Sequence, residues 1–156
     1  MRNPDTACGD MYVGRQGQKR LRLAAVFLIA GAFFVSGCEP LQEDELAREV
    51  ETIRSLAGEG SVLADQIAAQ NTKRTFARVQ ARELSDAAEH SSERLTDAHP
   101  ADGLGEEVQR AVGLADDVSA AIGGLEAAPD DASGAADASG RLRALSKSAE
   151  QLGGSL

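Results

Sequence analysis

Apolar and small residues recur at alternating spacings of three and four along four stretches of the chain, between residues 46 and 152. An α-helix repeats about every 3.6 residues, so each stretch places these residues in one stripe along a helix. The stripes are Leu46, Val50, Ile53, Ala57, Gly60, Ala64, Ile67; Ala77, Ala81, Leu84, Ala88, Ser91, Leu95, Ala98; Leu104, Val108, Ala111, Ala115, Val118, Ile122, Leu125; and Ala135, Ala138, Leu142, Leu145, Ala149, Leu152. The pattern predicts an all-α fold, a small antiparallel bundle of about four helices whose stripes face inward.

Glycine, proline and aspartate indicate where these helices are expected to begin, bend and end. Gly58 and Gly60 fall inside the first stretch and predict a break or kink there. Pro100 ends the second stretch, because a proline disfavours helical geometry in the residue before it. Asp102 is the expected N-cap of the third helix. Residues 127–134, rich in Ala, Asp, Ser and Gly, predict a low-complexity loop before the fourth helix.

The apolar core available to such a bundle is thin. From Cys38 to the end of the chain, Leu, Ile, Val and Phe make up 23 of 119 residues, and Phe76 is the only aromatic residue. The same region carries 11 Lys and Arg against 23 Asp and Glu, a net charge of −12. Few large apolar residues and high net charge are typical of weakly folded chains. These counts leave open that the bundle is partly disordered or folds with the help of a partner.

The start of the chain has a different composition. Residues 15–22 contain four cations, residues 23–35 are uncharged and mostly apolar, and Ser36, Gly37 and Cys38 follow. A membrane-spanning helix needs about 20 apolar residues, whereas the 13 residues here match the apolar part of a signal peptide. The order charged, apolar, small therefore predicts an export signal. Met11 is an alternative start of translation.

The residues around Cys38 carry a specific motif. Val35, Ser36, Gly37 and Cys38 resemble the lipobox of bacterial lipoproteins, in which an aliphatic residue and two small residues precede an obligatory cysteine. The resemblance covers residues 15–38 only. It implies that the Cys38 thiol receives a diacylglyceryl group and that a peptidase cuts before Cys38. The alternative is an ordinary thiol at the end of an uncleaved anchor.

This interpretation divides the chain into three parts. Residues 1–37 are the expected signal peptide, residues 38–45 a lipidated tether, and residues 46–153 the helical bundle. Two acyl chains hold a protein on a membrane far better than one, because each buried methylene contributes about 0.8 kcal/mol. The protein is expected outside the cytoplasm, attached by its lipid to the cell membrane or the outer membrane.

Charge and motif content disfavour several classes of function. A surface as acidic as this one repels phosphate backbones and anionic headgroups, so nucleic-acid binding is not expected. The chain has no Gly-x-Ser-x-Gly nucleophile motif and no phosphate-binding glycine loop. We therefore predict neither an enzyme nor a cofactor.

One acidic cluster is a candidate for metal binding. Asp86, Glu89, His90 and Glu93 are spaced three or four residues apart, which places their side chains near one another on a helix. A transition-metal site would also require ligands from facing helices, and those stretches contain no histidine. A solvated acidic face is the favoured interpretation, and no metal site is predicted.

A basic stripe is the other candidate site. Arg74, Arg78 and Arg82 follow one another at spacings of four, and Phe76 lies among them, off the main apolar stripe, as does Val79. The arginines are candidates for contact with an acidic partner. The favoured alternative pairs them with Glu and Asp on a neighbouring helix of the same bundle and places Phe76 and Val79 in a second core seam.

Two functional hypotheses follow from these features. The first is a non-catalytic envelope lipoprotein with a structural or protein-interaction role, whose partner is another envelope protein or a second copy of itself. The second is a small periplasmic module that binds or senses a cation or a small ligand, motivated by the acidic surface and by His90.

Overall fold

The computed structural model describes residues 40–156, which form one compact unit. The helices of this part of the chain are α1 (Glu43–Ala68), α2 (Arg74–Asp97), α3 (Gly105–Ala127) and α4 (Ala132–Gly153). No strand occurs among these residues, which confirms the predicted all-α bundle of about four helices. No helix in this range combines the length and the apolar composition that a membrane crossing requires.

The helices form a ring in which each lies beside the next and α4 lies beside α1. Side-chain contacts show that α1 and α4 run in opposite directions, since Asp65 near the end of α1 meets Ser139, whereas Arg54 meets Ser146. The contacts between α1 and α4 and between α2 and α3 are extensive, and the contact between α1 and α2 is much smaller. The contact between α3 and α4 is similarly small, so the bundle is two tight helix pairs joined along two looser seams.

Most residues of the predicted stripes are buried and form the core. Four stripe residues are only partly buried, namely Ala98, Leu104, Ala138 and Leu145, and two leucines from outside the stripes, Leu56 and Leu63, join the core. Every stripe residue of α1 is buried, and the largest fully buried side chains include Leu46, Ile53, Leu95, Ile122 and Leu142. Between them lie alanines such as Ala57 and Ala115, which are fully buried and let the helices approach closely. Burying one Leu or Ile side chain contributes about 1.5–3 kcal/mol, so these few large residues supply most of the apolar stabilisation.

Gly58 and Gly60 do not break α1, which is continuous from Glu43 to Ala68, so the predicted break is wrong. A glycine in a helix costs about 1 kcal/mol relative to alanine, but packing of an apolar face readily outweighs that loss. Gly60 lies where α1 meets two other helices: a Cβ at this position would be 2.9 Å from Ile122 Cδ1 and 3.2 Å from Leu142 Cδ1. The missing side chain admits Ile122 and Leu142 to the centre of the bundle.

Two helix starts also differ from the prediction. Asp102 does not cap α3, which begins after Leu104. The amide of Leu104 instead donates to the Ala101 carbonyl across a tight turn that contains Gly103 at φ +92°, so Asp102 lies inside the turn. Helix α4 begins at Ala132, within the expected loop 127–134, because the Asp131 carboxylate accepts hydrogen bonds from the amides of Ser133 and Gly134.

Backbone hydrogen bonds join the segment before α1 to the residues that follow the C-terminal end of α2. The Leu41 amide donates to the His99 carbonyl at 2.7 Å, and the Ala101 amide donates to the Leu41 carbonyl at 3.1 Å. Helix α1 then begins at Glu43, so residues 43–45, expected in the tether, belong to the bundle. The first turn contains Glu43, Asp44 and Glu45, whose charges favour a helix N-terminus.

Candidate functional site

A groove lies along the loosely packed seam between α1 and α2. Its volume is about 390 Å³, and Leu63 and Leu84, both buried, form its floor. The α1–α2 groove is lined by Gly58, Glu59, Val62, Leu63, Gln66, Phe76, Gln80 and Leu84. Helices α1 and α2 belong to different tight pairs, so their outer residues are left without a neighbour.

Two of the three exposed large apolar side chains of the described residues line this groove. Phe76 is 54% exposed and Val62 is 56% exposed, and they line the groove from opposite helices. Val79, which is 52% exposed, lies one helical turn after Phe76. The expectation that Phe76 and Val79 form a second core seam is wrong, because the small α1–α2 contact does not cover them.

The predicted arginine stripe lies beside Val79 rather than around Phe76. Residues 76 and 78 are separated by about 200° around a helix, whereas three residues of separation give neighbours on one face. Going around the exposed side of α2, the order is therefore Phe76, Val79, Arg82, Arg78. Phe76 is on the side of α1, and the arginines are on the side of α3.

The three arginines differ in their partners. Arg74 pairs with Asp130 in the α3–α4 loop at 3.1 Å, and Arg82 lies 3.9 Å from Asp86 on its own helix. Both pairs are more than half exposed, and exposed ion pairs contribute only about 0–1 kcal/mol. Arg78 makes no salt bridge with any residue of the range 40–156. Only Arg74 thus forms the internal contact that the favoured alternative expected.

Charge is distributed unevenly along α2 and its cap. Residues 73–82 contain four cations, Lys73 included, and no acidic residue. The remainder of the range 40–156 contains 7 cations and 22 acidic residues. The exposed apolar residues of α2 therefore lie in a basic segment of a strongly acidic domain; residues 138–149, with three cations and no acidic residue, are another.

The acidic candidates on α2 are not assembled into a metal site. The ring nitrogen Nδ1 of His90 lies 3.1 Å from Glu93 on the exposed surface, and Asp86 faces Arg82. Among residues 40–156, no group of three or more His, Cys, Asp or Glu side chains is placed to hold a metal ion. Glu89 and Glu93 line an open cleft between α2 and α3, together with Asp116.

One salt bridge joins the two helix pairs across the α1–α2 seam, since Arg94 on α2 lies 2.7 Å from Glu49 on α1. Other polar contacts join the two helices within each pair. Ser139 donates to Asp65 at 2.7 Å, and Arg143 pairs with the other oxygen of the same carboxylate. The Ser139 hydroxyl, and Arg143 to a smaller extent, hold the pKa of Asp65 below its ordinary value, while partial burial opposes them. Between α2 and α3, Ser92 donates to Asp116 at 2.5 Å. These groups are occupied by structural contacts.

The sequence analysis missed half of the groove. Val62, Gln66 and Gln80 were not predicted to belong to a site, although Val62 lies off the main stripe of α1 as Phe76 lies off that of α2. Large apolar residues off the stripe were the available signal. Which of them meet in space depends on the order of helices around the ring.

The predicted lipidation residue Cys38 and the lipobox residues Val35, Ser36 and Gly37 lie outside the described residues, as does the expected signal peptide 1–37. In comparisons with known proteins, no family model, no curated protein and no solved structure matches this chain.

Proposed function

We propose that the protein is a lipid-anchored extracytoplasmic lipoprotein with a non-catalytic, protein-interaction role in the cell envelope. The observation that carries the interaction role is the α1–α2 groove, where Val62 and Phe76 expose apolar surface on neighbouring helices. Exposed apolar patches rimmed by polar residues are typical of protein interaction sites. The lipobox motif supports the anchor.

The way the bundle begins supports a short connection to the membrane. Residues 38 and 40 are two apart in the sequence, and two residues span at most about 7 Å. The backbone contacts of Leu41 with the α2–α3 loop then attach the chain to the bundle. A lipid on Cys38 would hold the bundle by the end at which α1 begins.

The groove lies toward the opposite end. Val62 is 19 residues after Glu43 on the same helix, a rise of about 28 Å at 1.5 Å per residue. Phe76 is on the first turn of α2, at this same end. An anchor at the start of α1 would therefore present the groove away from the lipid surface, within reach of another envelope protein.

The anchor is tested by intact mass spectrometry of the protein from the membrane fraction, for the wild type and for Cys38→Ser, with Cys8→Ser as the matched control. We expect the wild type and Cys8→Ser to begin at Cys38 and to carry the mass of added acyl chains. Cys38→Ser should keep its leader and carry no lipid. A wild-type protein that keeps its leader and carries no lipid would refute the anchor.

The interaction role is tested separately in intact cells with a photo-crosslinking amino acid at Val79 or at Ala144. Ala144 is an exposed position on α4, which makes no contact with α2. We expect a defined crosslinked product from position 79 only. Absence of any product at 79, or the same products from both positions, would contradict a role for the groove.

A further inference from the structure

We infer that the α2–α3 hairpin is a lid that swings away from the α1–α4 pair at the end of the bundle where α1 begins. A latch at that end holds the lid shut. It consists of the backbone contacts of Leu41 with His99 and Ala101 and of the salt bridge between Glu49 and Arg94. We call this end of the bundle the latch end and the opposite end the hinge end. The lid depends neither on the proposed lipid anchor nor on a partner in the groove.

The α2–α3 hairpin is held together by contacts of its own. Its two helices pack extensively, and the Ser85 hydroxyl lies 3.1 Å from the Ser119 hydroxyl. Closer to the latch end, Ser92 donates to Asp116 at 2.5 Å. The α1–α4 pair has a separate set of polar contacts around its own helices. Because packing within each pair is more extensive than packing between the pairs, each pair is expected to move as a rigid body.

Both chain connections between the two pairs lie at the hinge end. Helix α1 joins α2 through residues 69–73, and α3 joins α4 through residues 128–131. The third connection, residues 98–104, joins α2 to α3 and therefore lies within the hairpin. Hinges are formed by a few loop residues that absorb backbone rotation. The hairpin can therefore rotate about the two loops at the hinge end, and its tip at residues 98–104 moves farthest.

At the latch end no chain connection within residues 40–156 joins the pairs, and polar contacts join them instead. The backbone contacts of Leu41 hold the tip of the hairpin. Arg94 on α2 lies 2.7 Å from Glu49 on α1, whose side chain is 21% exposed. The salt bridge of Arg74 with Asp130 also involves both halves of the bundle, but it lies at the hinge end. A latch of so few, partly exposed polar contacts is weak enough to release.

Opening of the lid would uncover one layer of the core. Near the latch end each helix contributes a large buried side chain, namely Leu46, Leu95, Val108 and Leu152. At 1.5 Å per residue, Leu46 is about 33 Å from the hinge end of α1, whereas Gly60 is only about 12 Å from it. A rotation about the hinge therefore separates the layer at the latch end far more than it disturbs the close packing at Gly60. Burial of this layer keeps the closed state dominant and the open state a minor one.

Thiol labelling of buried cysteines measures the opening, because a buried thiol reacts only in molecules that have opened. The full-length protein is prepared with one buried alanine at a time replaced by cysteine. Two variants probe the latch end and two the hinge end, in this order: Ala111→Cys and Ala149→Cys, then Ala77→Cys and Ala135→Cys. Peptide mass spectrometry quantifies each introduced cysteine separately from Cys8 and Cys38, and rates are divided by those of the unfolded protein.

We expect the two latch-end cysteines to react at least about tenfold faster than the two hinge-end cysteines. Their rates should also depend less on urea, because opening the lid exposes less surface than complete unfolding does. Equal rates and equal urea dependence at all four positions would show that complete unfolding is the only opening, and would overturn the lid.

Arg94→Gln tests the latch. It removes the salt bridge to Glu49, so labelling at the latch end should rise about fivefold, the upper range for a partly exposed ion pair. Arg110→Gln is the matched control, because Arg110 lies 2.7 Å from Glu107 with similar exposure of both side chains, yet both residues are on α3. Opening the lid does not separate them, so this variant should leave latch-end labelling unchanged. Circular dichroism verifies that both variants keep their helices. No rise with Arg94→Gln, or an equal rise with Arg110→Gln, would overturn the latch.

Discussion

Helix α1 has two neighbours in the ring and packs against them in different ways. On the side facing α4 the packing is tight: Leu142 lies close to the backbone of Gly60, and the Asp65 carboxylate accepts hydrogen bonds from Ser139 and Arg143. We call this the closed side of α1. On the side facing α2, which we call the open side, the contact between helices is smaller and Val62 is more than half exposed. The closed side uses small residues and satisfied polar groups for stability, whereas the open side retains apolar surface that contributes little to folding. The side of α1 that faces α4 therefore stabilises the fold, whereas the side that faces α2 leaves apolar surface exposed for the proposed interaction.

The largest expected effect is on the closed side. Leu142 is fully buried and touches the space above Gly60, so Leu142→Ala removes core contacts and leaves a cavity. We expect the free energy of unfolding to fall by about 3 kcal/mol, within the usual range for a buried Leu→Ala change. Urea denaturation followed by circular dichroism measures this loss. A loss below about 1 kcal/mol would show that the α1–α4 side is not tightly packed.

The two glycines of α1 allow a matched comparison between the sides. Gly58→Ala should raise the free energy of unfolding by about 1 kcal/mol, because alanine favours the helix and a Cβ there meets nothing within 4 Å. Gly60→Ala gains the same propensity but places its Cβ 2.9 Å from Ile122 Cδ1, which must move. We expect Gly60→Ala to be at least about 1 kcal/mol less stable than Gly58→Ala. Equal stabilisation by both would contradict close approach at Gly60.

The polar contact of the closed side predicts a pH dependence. Because the pKa of Asp65 is lowered in the folded protein, its ionised form favours folding. This contribution is complete above the unfolded pKa of about 3.9 and is lost as the pH falls through the lower folded value. Ser139→Ala, which removes the main cause of the shift, should lower the free energy of unfolding by about 0.5 kcal/mol at pH 7, since the carboxylate is half exposed.

The measurement is denaturant unfolding of wild type and Ser139→Ala at several pH values. The difference between them should be largest near pH 7 and should shrink below about pH 4 as Asp65 becomes protonated. Ser148→Ala is the control, because Ser148 donates only to the Ala144 carbonyl of its own helix. A difference for Ser139→Ala that stays the same at every pH would remove Asp65 from the explanation.

The smallest expected effect is on the open side of the same helix. Val62→Thr exchanges a methyl group for a hydroxyl at a position that is 56% exposed. We expect the free energy of unfolding to change by less than about 0.5 kcal/mol, as for most surface substitutions. The matched change Val50→Thr, at a position 1% exposed, should lower it by about 1–3 kcal/mol. A loss for Val62→Thr as large as that for Val50→Thr would mean that the groove is closed in solution.

The helices and their buried faces followed from the sequence, because helical periodicity depends only on spacing within each segment. Of the predicted stripe of α3, all residues from Val108 to Leu125 are buried. The predictions that failed concern glycine and local caps. Gly58 and Gly60 raise the cost of a helix locally, but packing against Ile122 and Leu142 decides whether the helix continues. Asp102 does not cap α3 as predicted, because the chain makes a turn at Gly103 and α3 begins after Leu104.

Only part of the candidate site could be predicted from the sequence. Phe76 and the arginine stripe could be recognised as unusual within α2, and the charge of residues 73–82 is a property of composition alone. That Phe76 meets Val62 across a groove, while Arg74 reaches Asp130 on the other side, depends on distances between helices. The sequence alone determined that four helical segments form and which main face each of them buries, but not where each helix begins. Tertiary structure decided which helices pack tightly, α1 with α4 and α2 with α3, because contacts between helices depend on their order and distances in space and not on the spacing of residues within one helix.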